Sequence, residues 1–142
     1  MKISTKGRYA VRIMLDLAEN DTGDYIKVKS IAKRQDLSEK YLEQIISMLN
    51  KAGFVKSVRG ARGGYRLSKA PEDFTIGMIL RLMEGSVSPA PCLDGGMSAC
   101  SRCSSCGVIS VWEELQQAIN GVVDNITLQD LLDRKKIESV NI

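Results

Sequence analysis

No histidine occurs anywhere in this sequence of 142 residues. The absence removes the commonest general acid or base and the commonest protein metal ligand. There is also no nucleophile elbow, and no glycine-rich phosphate loop leading into a strand–helix unit, so catalysis has no recognisable machinery and the chain is not expected to be an enzyme. Long apolar runs are missing too. The start, MKISTKGRYAVRIML, has neither an apolar leader core nor a small-residue cleavage site, and no later run approaches eighteen apolar residues. The expectation is a soluble, cytoplasmic protein without membrane contact. Internal repeats and low-complexity segments are absent, and the length suits one small domain with an appended element.

Cysteine is scarce everywhere except in one place. All four thiols, Cys92, Cys100, Cys103 and Cys106, lie in the stretch PCLDGGMSACSRCSSCG, spaced Cys-x7-Cys-x2-Cys-x2-Cys. The stretch is rich in Gly and Ser and has few large side chains to pack, so a bound metal or a disulfide is the natural way to order it. The last three cysteines match the opening of the ferredoxin run, but neither the fourth cysteine nor the proline of that run follows Cys106. Zinc would need all four thiols, since no histidine completes a mixed site. Disulfides are disfavoured without a secretory signal. An iron–sulfur cluster, zinc and paired disulfides thus remain open on spacing alone.

Charge is distributed unevenly. The formal balance of +3 divides into fifteen Lys/Arg against seven Asp/Glu up to Lys69, and five against ten beyond it. A basic half of this kind suits a polyanion, and its concentration in one segment points to nucleic acid. Within that half, Thr5 to Glu19 patterns as an amphipathic helix capped by Ser4 or Thr5. Its cations Lys6, Arg8 and Arg12 lie toward the positive end of the helix, where solvent or a DNA phosphate would have to meet them. A short helix follows from Val28 to Gln35, then a break at Asp36-Leu37, then a longer helix capped by Ser38. Two helices so closely joined form a helix-turn-helix candidate.

In the second of them Leu42, Ile45, Ile46 and Leu49 make a core stripe, while Lys40, Glu43, Gln44, Ser47 and Lys51 project oppositely. Gln44 and Ser47 suit base edges, Lys40 and Lys51 suit phosphates, and Glu43 would accept from a cytosine amino group while repelling phosphates. After Gly53, two short strands flank an arginine-bearing glycine-rich tip, a hairpin that would place Arg59 or Arg62 in or beside a minor groove. Residues 1–70 thus read as a winged helix-turn-helix region, 71–91 as a short helix and connector, 92–107 as the cysteine loop, and 108–142 as a long helix plus a C-terminal helix. The C-terminal helix reads from Leu128 to Lys135, capped by Asn125 or Thr127. Val108, Val111, Trp112, Leu115, Ile119 and Val122 form a stripe too wide for a solitary helix, and a two-fold dimer seam is its natural home. The fold class expected is mainly α with a small β-wing. A dimer would present two readers to a palindromic operator.

The opening STKGRYAV, the segment LSEKYLEQIISMLNKAGFVKSVRGARGGYRL, the cysteine loop leading to Trp112, and NITLQDLL resemble, almost end to end, the winged-helix family of the iron–sulfur cluster regulator IscR. That family also contains the nitric-oxide sensor NsrR and the cysteine-metabolism regulator CymR. The resemblance implies a homodimer that binds double-stranded DNA, carries a [2Fe-2S] cluster received from the iron–sulfur assembly machinery, and represses cluster-biogenesis genes. The family's three cysteine ligands map onto Cys92, Cys100 and Cys106. Its fourth ligand, a histidine, corresponds to Ile109, which cannot ligate. Cys103 is additional to the pattern and is the candidate fourth ligand, with Asp94 or Glu43 of the partner subunit as carboxylate competitors; NsrR-like relatives carry a [4Fe-4S] cluster on the same fold. The other reading is a CymR-like regulator of cysteine and sulfur metabolism, controlled by thiol oxidation or a partner protein without a cluster.

Overall fold

Helix α1 (Thr5–Glu19) is the surface on which most of the chain assembles in the computed structural model, which describes residues 2–93 and 106–140. Ala10, Ile13, Met14 and Leu17 recur at helical spacing and are buried to within 1% of full exclusion from solvent. Ser4 caps the helix, its Oγ accepting from the Gly7 amide at 3.0 Å.

Helices α2 (Val28–Gln35) and α3 (Glu39–Lys51) pack on α1 through Ile31, Ala32 and the expected stripe of Leu42, Ile45, Ile46 and Leu49. Asp36 sits between them in the left-handed region (φ 54°), which a short polar side chain tolerates, and Ser38 then caps α3 by accepting from the Tyr41 amide. Truncating any of the stripe residues to alanine costs about 2–5 kcal/mol. The helix pair is thus held by its core, leaving the outer face unconstrained by packing.

Strands β1 (Val55–Val58) and β2 (Gly64–Leu67) form an antiparallel hairpin with Val55 opposite Leu67 and Val58 opposite Gly64. Ile26, just before α2, exchanges two backbone hydrogen bonds with Tyr65, each 2.8 Å. This extra rung fixes the wing to the helix-turn-helix. Gly64 permits it, because a β-carbon there would fall 2.2 Å from the Ile26 carbonyl oxygen.

Pro71–Asp73 is a single 3-10 turn at the start of the 71–91 segment, and it delivers Phe74 into the core against Phe54, ring centroids 5.6 Å apart. Helix α4 (Ile76–Glu84) follows, capped by Thr75 and stopped by Gly85. Helix α5 (Ile109–Val123) leads to α6 (Leu128–Val140), at whose start Thr127 and Asp130 cap each other reciprocally. The junction returns to the winged region: the Ile76 amide donates to Ile126, the Leu128 amide donates to Phe74, and Leu128 is fully buried. Helix α6 runs past Lys135, where the sequence reading ended it. No Gly or Pro interrupts it, and Lys135 reaches Glu19 of α1 at 2.8 Å. Among the described residues no helix is long and apolar enough to cross a membrane.

Candidate nucleic-acid interface and cysteine segment

The outer face of α3 carries Lys40, Glu43, Gln44, Ser47 and Lys51, all exposed. They stand together because the core stripe occupies the opposite side of the same helix. Arg59 and Arg62 lie at the exposed hairpin tip, and Arg59 borders an open cleft of about 530 Å³ with Lys27, Asn50, Ser57 and Tyr65. Lys29 and Lys33, one turn apart on α2, are also exposed, as is Lys27 at its N-cap; the sequence reading passed over all three. Arg8 is exposed in the first turns of α1, its guanidinium donating to Thr5 Oγ1 at 3.1 Å.

At the positive end of α1, an anion of the chain itself arrives. The Glu84 carboxylate accepts from the Ser4 amide at 2.9 Å and from Ser4 Oγ at 2.6 Å. Gly7 leaves room for it, since a β-carbon there would stand 2.2 Å from Glu84 Oε1. This carboxylate answers the macrodipole, and leaves Lys6, Arg8 and Arg12 for other partners. Deeper in α1, Asp16 is 2% exposed and accepts from Arg34 Nη2 at 2.8 Å, Arg34 Nε at 3.0 Å and Gln35 Nε2 at 2.9 Å. The hydrogen bond to Asp16 holds the Arg34 guanidinium protonated above its ordinary range. Nothing in the sequence reading singled out Asp16. Its only signal is a carboxylate inside an apolar stripe.

Cys92 lies in a 3-10 turn (Pro91–Leu93) and Cys106 three residues ahead of α5; both are half-buried. Cys100, Cys103 and Asp94 lie outside the described residues. Ile109 opens α5 with an aliphatic side chain, which has no donor atom for a metal. Helix α5 buries none of its residues. Val108, Val111, Leu115 and Val122 are 43–56% exposed, with Trp112 and Ile119 half-buried. Its far end is tied to α4, where Arg81 donates to Asp124 Oδ2 and Asn120 Oδ1, each at 3.0 Å. The Arg81 guanidinium holds the Asp124 carboxyl below its usual range, and Asp124 in turn raises Arg81.

Residues 3–134 match Rrf2, described as an iron-dependent transcriptional regulator family. The chain belongs to the Rrf2 family. Rrf2 relatives include the regulator CymR of Bacillus subtilis, 44% identical over 131 residues and covering 92% of this chain and 89% of its own, and IscR of Photobacterium profundum, 37% identical over 141 residues, covering 99% and 81%. Among solved Rrf2-type structures, that of CymR, the global cysteine regulator of B. subtilis, superposes with TM-score 0.77 at 42% identity, covering 94% of this chain and 98% of that one. The IscR of T. potens gives 0.76 at 44%, covering 95% and 88%. This Rrf2 protein is therefore a DNA-binding, winged-helix transcription regulator and not an enzyme.

Proposed function

We propose that this Rrf2 regulator is a homodimer whose hold on a palindromic operator is set by an iron–sulfur cluster, and that it represses cluster-biogenesis genes. The observation that carries this reading is the confinement of all four thiols to the segment between the α4 connector and α5, with no histidine in the chain and Cys92 and Cys106 half-buried at its ends. Soft thiolates are the commonest cluster ligands, so the donor set fits. Cys92, Cys100 and Cys106 would hold the cluster with Cys103 as fourth ligand, in [2Fe-2S] form, or as [4Fe-4S]. When bound, it supplies a redox- and oxygen-sensitive tie between the connector and the foot of α5. The chain's own side chains do the reading: Gln44 and Ser47 at base edges, Glu43 selecting against wrong bases, Lys40, Lys51 and Arg8 at phosphates, and Arg59 and Arg62 beside the minor groove. The exposed α5 stripe of Val108, Val111, Trp112, Leu115, Ile119 and Val122 forms the subunit seam.

Anaerobic reconstitution of four single Cys→Ala variants tests the reading. Loss of visible absorption and of cluster-dependent DNA control is expected for Cys92, Cys100 and Cys106, and an altered spectrum for Cys103. An unchanged cluster in Cys103→Ala removes it from the ligand set. Similarity to CymR at 44% identity supports a second reading, a regulator of cysteine or sulfur metabolism governed by thiol oxidation or a partner protein. A wild-type chain that takes up no iron and sulfide, yet changes operator affinity on thiol oxidation, would decide for it.

A further inference from the structure

Arg12 stands one helical turn beyond Arg8 on α1, exposed, and is held in place from two sides. Its Nε donates to Gln35 Oε1 at 3.0 Å, and its guanidinium lies over the Tyr9 ring, 4.9 Å from the centroid. Tyr9 in turn meets Tyr41, in the first turn of α3, edge to face at 6.0 Å.

The hold on Gln35 originates in the core. A carboxylate as buried as Asp16 is costly unless every lone pair is answered, and Arg34 and Gln35 answer it. A carboxylate can only accept and a guanidinium can only donate, so the amide between them has one orientation: Nε2 toward Asp16, Oε1 toward Arg12. Arg34 spends Nε and Nη2 on Asp16. Arg12, by contrast, donates only through Nε, and its terminal Nη1 and Nη2 have no hydrogen-bond partner among the described residues. A planar fork, fixed at its root and directed to solvent, is the geometry that grips a phosphate with little further loss of rotamer freedom.

Its place fits such a ligand. Gln35 lies three residues before Ser38, the cap of the reader helix, so the fork stands at the turn where α3 meets a duplex. We infer that Arg12 is a pre-oriented clamp on one DNA backbone phosphate beside the reader helix, with Asp16 and Gln35 as its positioning residues. The inference rests on the DNA-binding role of the winged head and is indifferent to what controls it.

The test measures affinity by fluorescence anisotropy across a salt series, on a random-sequence duplex and on one selected from a random pool. Arg12→Ala is expected to flatten the slope of log K against log salt by about 1 for each half-site, about 2 for a bound dimer, on both duplexes. Gln35→Met, which keeps every cation but breaks the bridge, is expected to weaken binding roughly threefold to tenfold, as for one net hydrogen bond, with its thermal unfolding recorded alongside. Arg12→Lys should recover less than half of the affinity lost in Arg12→Ala. A methylphosphonate scan then locates the contact: one position per half-site should weaken the wild-type protein and leave Arg12→Ala unaffected. Wild-type affinity in Gln35→Met and Arg12→Lys, with no phosphate position coupled to Arg12, would overturn the clamp. A wild-type protein that binds neither duplex would instead remove the DNA-binding role, and the clamp with it.

Discussion

Gln44 and Arg59 illustrate two kinds of contact that single substitutions separate. Gln44 is exposed on the outer face of α3 and is proposed to meet a base edge, whereas Arg59 is exposed at the hairpin tip and is proposed to meet the backbone or minor groove. Gln44→Ala is expected to cost about 1–3 kcal/mol at particular base pairs and little on random duplex. Arg59→Ala should weaken all sequences together and flatten the salt dependence. Competition binding against single-base operator variants and random duplex checks both: an equal loss on specific and random DNA for Gln44→Ala, or a loss confined to the operator for Arg59→Ala, would remove the assigned role. The α3 face was readable in advance because periodicity sorts core from surface without knowledge of neighbours. Asp16 was not. Its meaning depends on Arg34 and Gln35, which a helix turn and a loop place against it and which, in sequence alone, look like the polar end of α2.

Helix α4 has only nine residues, yet two of its side chains reach opposite parts of the molecule: Glu84 the start of α1, Arg81 the end of α5. Its end was legible from Gly85, which stops it through backbone chemistry that is local; the cap at Thr75 was not singled out. Its reach was not legible, since Ser4 and Asp124 lie 80 and 43 residues from their partners. The Arg81–Asp124 pair also makes a pH prediction. The folded Asp124 carboxyl lies below its unfolded value, so the pair stabilises above the ordinary carboxylate range and loses that contribution as pH falls through the lowered value. Wild-type protein should therefore melt above Asp124→Asn at neutral pH by a modest margin, both groups being well exposed. Calorimetry should show that margin steady down to about pH 4 and closing below it.

At the scale of the whole molecule, the expected class of fold, mainly α with a small wing, is the one found, because capping residues, glycine stops and a strand-turn-strand pattern are each local signals. Less of the packing could be foreseen: Leu128 and the Lys135–Glu19 pair bring the C-terminal helix back onto α1, across the division drawn at residue 70. For the α5 stripe, Leu115→Glu is expected to yield monomers by sedimentation and to abolish binding to the palindrome, with helical circular dichroism largely kept. A wild-type protein that sediments as a monomer would end the case for the seam. A helix with no buried residue of its own has a thermodynamic corollary as well. If it gains its cover only from a second copy, its stability obeys mass action, weakening by about 1.4 kcal/mol per dimer for each tenfold dilution of chains. The melting temperature should then climb with protein concentration, and in a cell the regulator's own abundance would become a variable its promoters respond to.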